Sequence, residues 1–156
     1  SVKALIAAVP ERTDWKRIKC WSKPDELEGD NDDYIIVNIL KNADPADEAT
    51  PYFTDSVKVN YLGRLLPSTS YPYGYVFDQS YFGDFDPDTS APISFAVNGV
   101  VKGFSTALQH MGKGDEWRVY IPYEMAYGEQ GTTGIPGYST LVFDITMVDF
   151  WSPRAK

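Results

Sequence analysis

The stretch Val100-Val101-Lys102-Gly103-Phe104-Ser105-Thr106-Ala107-Leu108-Gln109-His110-Met111 constrains this chain more than any other. Phe104, Ala107, Leu108 and Met111 fall at i, i+3, i+4 and i+7, which predicts one short helix with a single apolar face and with Ser105, Thr106 and Gln109 turned elsewhere. Gly103 lets the backbone pass close to a neighbour, and Gly112 and Gly114 follow as residues that accept the left-handed geometry ending a helix. So small a helix in an otherwise β-rich chain has to bury its face against a sheet that curls around it.

The segments on either side read as that sheet. Tyr34–Leu40 is rich in β-branched residues, and Ser56–Leu65 alternates cleanly with Val57, Val59 and Tyr61 on one side. Val76-Phe77-Asp78 resumes the sheet after a long connection over Pro67–Tyr75. Ile93–Val97 alternates into the Asn98-Gly99 turn, Glu116–Ile121 alternates up to Pro122, and Thr140–Val148 closes the sheet. Asn42–Thr54, Gln79–Pro92 and the glycine-rich Gly128–Gly137 are loops, the last read as a flap. The expectation is an α+β fold, a curved antiparallel sheet of about five or six strands wrapped around one short helix.

Residues 1–32 read as an N-terminal extension. Val2–Val9 is expected as one short helix and Asp14–Trp21 as another, with Trp15, Ile18 and Trp21 three apart. The acidic run Asp25–Asp33 is a solvated linker, giving a principal domain over residues 33–151 and a C-terminal tail over 152–156. A chain of 156 residues that is 43% hydrophobic suffices for one such core.

Composition removes several classes of function. With 22 acidic against 14 basic residues and a net charge of −8, the chain lacks the clustered Lys and Arg that neutralise a nucleic-acid backbone. The single Cys20 allows neither an intrachain disulfide nor a zinc constellation and reads as a small apolar residue. No apolar run reaches the length of about 18 residues that spans a membrane. His110 has no nucleophile patterned around it, and the glycines at 128, 131, 134 and 137 precede no Gly-Lys-Ser or Gly-Lys-Thr phosphate cradle. Asp84-x-Asp86-x-Asp88 opens like a calcium loop, but Thr89 and Phe95 stand where Gly and Glu are needed, so no metal and no cofactor is expected. A first residue other than Met is expected of a chain trimmed after export to the cell envelope or periplasm, with the cytoplasm as the alternative.

From about Asp33 to Trp151 the chain resembles the FKBP family of peptidyl-prolyl cis-trans isomerases. The motifs that carry the resemblance are Val57-x-Val59-x-Tyr61-x-Gly63-x-Leu65, Phe77-Asp78-x-Ser80, Val100-Val101-x-Gly103-Phe104 and Met111-Gly112-Lys113-Gly114, followed by Ile121-Pro122-x-x-x-Ala126-Tyr127-Gly128, Ile135-Pro136 and Thr140-Leu141-Val142-Phe143-Asp144-Ile145. The resemblance implies an apolar pocket between sheet and helix. Tyr61, Phe77, Asp78, Phe104, Tyr127 and Phe143 would act on the substrate, and Ile93, Val100, Val101 and Ile135 would help to bind it. Phe104 would form the floor under a proline ring, and the Val101 N–H and Tyr127 OH would hold carbonyl oxygens of a peptide or a macrolide inhibitor.

The resemblance thus implies isomerisation of X-Pro bonds in protein chains, assisting folding, through a non-covalent twisted amide. The alternative is a non-catalytic chaperone or protein-binding module on the same fold. Three departures bear on this choice: Phe104 stands where the family commonly has Trp, the Leu65–Phe77 connection is longer than in minimal members, and no Arg follows Asp78 to pair with it. Phe82 and Phe85 are expected to add apolar rim. Asp78 itself has two readings, a carboxylate orienting Tyr or substrate and a cap on the turn after Phe77. For the aromatic residues in strands the plain reading is core.

Overall fold

The computed structural model describes residues 14–43 and 47–153. Seven strands are found among the described residues: β1 Trp15–Lys19, β2 Tyr34–Lys41, β3 Ser56–Leu65, β4 Val76–Gln79, β5 Ile93–Ala96, β6 Glu116–Ile121 and β7 Leu141–Trp151. Among the same residues there is one α-helix, α1, spanning Lys102–Leu108. Every pairing is antiparallel, in the order β1-β2-β6-β7-β3-β4, and β5 lies beside β4 on the same edge of β3. The expected fold is therefore present, a curved antiparallel sheet holding one short helix.

Alternation decides which side of the sheet faces α1. Val57, Val59 and Tyr61 of β3, Trp117, Val119 and Ile121 of β6, and Leu141, Phe143, Ile145 and Met147 of β7 are all buried. They form one apolar cluster with Phe104, Ala107, Leu108 and Met111. A Cβ on Gly103 would collide with the side chain of Ile121, so glycine is what lets α1 lie directly on β6.

The helix differs from expectation in length and burial. Val100 and Val101 are extended, with ψ of 167° and 152°, so the regular turns begin only at Lys102. After Leu108 the chain tightens, His110 N–H bonding to Ala107 O and Met111 N–H to Leu108 O. Ser105 and Thr106 are as buried as the apolar residues beside them. Thr106 Oγ1 donates to Lys102 O at 2.8 Å and accepts the Trp21 N–H at 3.2 Å, so chain leaving β1 covers a face turned away from the apolar stripe. Gly114 takes φ of 91°, whereas Gly112 is not left-handed and donates its N–H to the Asp115 carboxylate at 2.8 Å.

The helix expected over Asp14–Trp21 is corrected to strand β1. Its residues alternate about the sheet: Lys16 and Ile18 turn inward, Lys16 over the Trp117 ring at 4.2 Å, while Trp15 stacks on Tyr120 and Arg17 lies over Tyr34. Hydrogen bonding along β2, from Trp15 opposite Asn38 to Lys19 opposite Tyr34, outweighs a spacing of three that only three residues support. The sheet thus begins before residue 33. The helix expected over Val2–Val9 lies outside the described residues.

Candidate active site

Between α1 and the inner face of the sheet lies a hollow of about 470 Å³, lined by Tyr61, Asp78, Phe95, Gly99, Val100, Val101, Phe104, Tyr127 and Phe143. Its floor is Phe104, only 4% exposed. The Phe104 ring meets Phe143 edge-on at 4.9 Å and 87°, Tyr61 at 6.1 Å and 87°, and Phe95 at 6.1 Å and 68°. Such edge-to-face contacts place the positive rim of one ring against the negative face of another, and they fix the walls beyond what area burial alone would do.

The rings are set by strand register. Phe143 of β7 lies opposite Gly63 of β3, and a Cβ on Gly63 would come within 2.6 Å of the Phe143 ring and 2.8 Å of the Phe77 ring. Glycine at this position makes room for both rings. Phe77 stands behind Phe143, edge-on at 5.5 Å, and supports the wall without lining the hollow. Tyr127 is 41% exposed at the mouth, where the chain leaves the 3-10 turn Tyr123–Met125 and is held by Gly128 N–H to Tyr123 O and Gly131 N–H to Tyr127 O.

Val101, Tyr61, Asp78 and Tyr127 bring polar groups to the lining of this apolar space. Val101 is the N-cap of α1, so its N–H precedes the first intrahelical bond while its carbonyl accepts the Ser105 N–H. Tyr61 is pushed well above the ordinary phenol pKa, first by burial and then by its hydrogen bond to the Asp78 carboxylate, with the charges of Asp78 and Tyr127 adding to the effect. It stays a neutral donor at any physiological pH. Asp78 Oδ1 also accepts the Gln79 N–H at 2.9 Å, a local contact of the kind the capping reading calls for.

Seven of the ten residues marked in the sequence line the hollow: Tyr61, Asp78, Val100, Val101, Phe104, Tyr127 and Phe143. The other three do not. Phe77 is behind the wall, Ile93 lies at the start of β5 and is 39% exposed, and Ile135 is packed into the core at 5% exposure. The loop around Ile135 is built from paired turns, with Thr132 and Ile135 exchanging N–H···O bonds in both directions. Phe95 and Gly99 line the hollow although the sequence reading did not select them. Alternation over Ile93–Val97 could have found Phe95, which shares its face of β5 with Ile93.

Phe82 and Phe85 do not form the expected rim. Phe82 is 83% exposed and Phe85 packs against Tyr81, and neither lines the hollow. On the outer face of the sheet Arg118 and Asp144 form a forked ion pair at 2.7 and 3.0 Å.

A second hollow, of about 370 Å³, contains His110 with Asp47, Glu48 and Asp115. The Asp115 carboxylate is already engaged by the N–H groups of Ala43 and Gly112. Among the described residues no group of three or more His, Cys, Asp and Glu side chains is placed to hold a metal ion.

A sheet curled on one short helix, with a ring-walled hollow open between them, defines an FKBP-like binding domain. A family model described as FKBP-type peptidyl-prolyl cis-trans isomerase matches residues 48–148, and the chain belongs to that family. It is 41% identical over 99 residues to a macrophage infectivity potentiator of Trypanosoma cruzi, an alignment covering 63% of this chain and 44% of that protein. It is 37% identical over 116 residues to the FKBP-type peptidyl-prolyl cis-trans isomerase FkpA of Escherichia coli K12, covering 74% of this chain and 36% of that one. The chain thus spans less than half the length of these curated relatives. The crystal structure of a peptidyl-prolyl cis-trans isomerase from Pseudomonas syringae superposes with a TM-score of 0.65 at 25% identity, over 96% of this chain and 90% of that one. FkpA from Escherichia coli superposes with a TM-score of 0.63 at 30% identity, over 85% and 55%.

Proposed function

We propose that this protein catalyses cis-trans isomerisation of X-Pro bonds in polypeptide chains. The observation that carries the reading is the open hollow of about 470 Å³ floored by Phe104 and walled by Tyr61, Phe95 and Phe143, a cavity in which a pyrrolidine ring would meet aromatic surface on several sides. Relatives named peptidyl-prolyl cis-trans isomerase support it.

The chemistry needs no nucleophile. Rotation about the X-Pro bond breaks amide resonance, with a barrier of about 18–20 kcal/mol. A half-rotated amide has a less polar carbonyl and a more pyramidal nitrogen than the planar form, so removing water disfavours the planar ground state more than the twisted one. In this reading Phe104, Phe143, Tyr61 and Phe95 hold the ring, while the Val101 N–H and the Tyr127 OH fix carbonyl oxygens on either side of the rotating bond. Each tenfold acceleration requires about 1.4 kcal/mol, so two fixed hydrogen bonds and the desolvation of one amide suffice for roughly a thousandfold.

The substrates would be exposed proline segments of unfolded or flexible chains, and a macrolide that mimics the twisted amide would compete for the hollow. A proline-isomerisation assay on a short peptide, with and without a macrolide, tests this. Catalysed exchange that the macrolide suppresses supports the enzyme reading; saturable peptide binding without acceleration would make the domain a non-catalytic binding module.

A further inference from the structure

Ser80 lies outside the hollow, yet it makes two bonds to the backbone of Tyr61, whose side chain lines it. Its Oγ accepts the Tyr61 N–H at 2.8 Å, and its own N–H donates to Tyr61 O at 2.9 Å. Its hydroxyl proton is directed to Asn60 Oδ1 at 3.0 Å, with Tyr61 O a longer alternative at 3.4 Å. Asn60 is 2% exposed, and its Nδ2 donates to Ser90 O at 3.3 Å, which anchors the far end of the loop after β4.

These bonds extend the β3–β4 ladder by one step. Regular pairing places Leu62 opposite Gln79 and Gly63 opposite Asp78, and then slips between Gly63 and Arg64. A ladder of so few pairs with an irregularity at one end is weakly fixed in register, and a slip of one residue would turn Asp78 to the other face. Ser80 and Asn60 close the opposite end with a part-buried hydrogen-bonded network. Asp78 is thereby held where its carboxylate meets the phenol of Tyr61, while the Gln79 N–H fixes the carboxylate's rotation.

We propose that Ser80, backed by Asn60, is a positioning residue that sets the Asp78 carboxylate against the Tyr61 phenol and thereby orients the polar wall of the hollow during turnover. The proposal rests on the isomerase reading given above. Ser80 touches no substrate. It acts through Tyr61 and Asp78, and its loss leaves the ring walls of Phe95, Phe104 and Phe143 in place.

The test combines Ser80→Ala, Ser80→Thr and Tyr61→Phe with two readouts: kcat and KM for a proline peptide, and the alkaline titration of tyrosine absorbance, in which the Tyr61→Phe difference identifies the Tyr61 phenol. Ser80→Ala is expected to lower kcat about fivefold, the size of one hydrogen bond, with KM little changed. It should also move the Tyr61 titration down toward the ordinary phenol range. Ser80→Thr, which keeps the hydroxyl, is expected to restore both. Unchanged kcat in Ser80→Ala overturns the proposal, and so does a lowered kcat with an unmoved Tyr61 titration, which would mark a merely structural role. A wild-type protein that fails to accelerate isomerisation would instead sink the enzyme reading, and the titration alone would then decide whether Ser80 sets the contact between Tyr61 and Asp78.

Discussion

Phe104 of the helix and Phe143 of the last strand meet edge to face, their ring centroids 4.9 Å apart and their planes at 87°. One ring is delivered by a helix and the other by a strand 39 positions later in the chain, so the contact exists only if sheet and helix are assembled correctly. Truncation at Phe104 removes both the floor of the hollow and part of the core. Phe104→Ala is expected to cost about 3–5 kcal/mol of stability, measured by urea or guanidinium unfolding, and to abolish peptide turnover under conditions where the variant remains folded.

Tyr127 separates function from stability. Its ring is 41% exposed and lies at the mouth of the hollow, so removing the hydroxyl leaves the core untouched. Tyr127→Phe is expected to change stability by less than about 0.5 kcal/mol while lowering kcat/KM about fivefold. Thermal unfolding and a peptide assay on the same sample check the two halves; unchanged turnover would remove the hydroxyl from the mechanism.

Gly63 tests the register that places the walls. An added methyl would overlap the rings of both Phe77 and Phe143. Gly63→Ala is expected to destabilise the fold by about 1–3 kcal/mol through overpacking. Turnover should fall further than in a destabilised control such as Met147→Val, whose side chain is buried on β7 away from the hollow.

The raised phenol of Tyr61 gives a pH dependence with a definite sign. Folding favours the protonated phenol, so the native state binds more protons than the unfolded chain wherever the pH exceeds the ordinary phenol value of about 10. This contribution is fully present below pH of about 10 and is lost as pH climbs toward the native-state value. Wild type should therefore lose stability more steeply than Tyr61→Phe on the alkaline side. Between pH 6 and 9 the two should run parallel, as unfolding curves taken at each pH would show.

Much of the fold was legible because inner-face burial repeats every second residue. Val57, Val59 and Tyr61, and likewise Trp117, Val119 and Ile121, declare both strand and inner face without further information. The weaker places are those where a partner far along the chain overrides local pattern. Asp14–Trp21 reads as a helix until β2 is available to pair with Trp15–Lys19, and Ser105 and Thr106, which periodicity only turns away from the apolar face, are buried once the Trp21 backbone reaches across to Thr106. In the site, Tyr61, Phe104, Tyr127 and Phe143 were named from motif order. Ile93 follows from the resemblance, whereas Phe95, on the same face of β5, is the one that lines the hollow, which strand alternation by itself does not distinguish.

Local periodicity and residue size are enough to give the inward and outward faces of the main strands, the short helix with glycine where it crosses Ile121, and the supply of aromatic side chains for a hollow. Long-range pairing settles the rest: the joining of β1 to the sheet, the absence of Phe82 and Phe85 from the lining of the hollow, and the seating of Phe77 against Phe143 and of Ile135 in the core. Those outcomes depend on which strands pair and in what register, a competition among contacts between residues distant in the chain that no local window records.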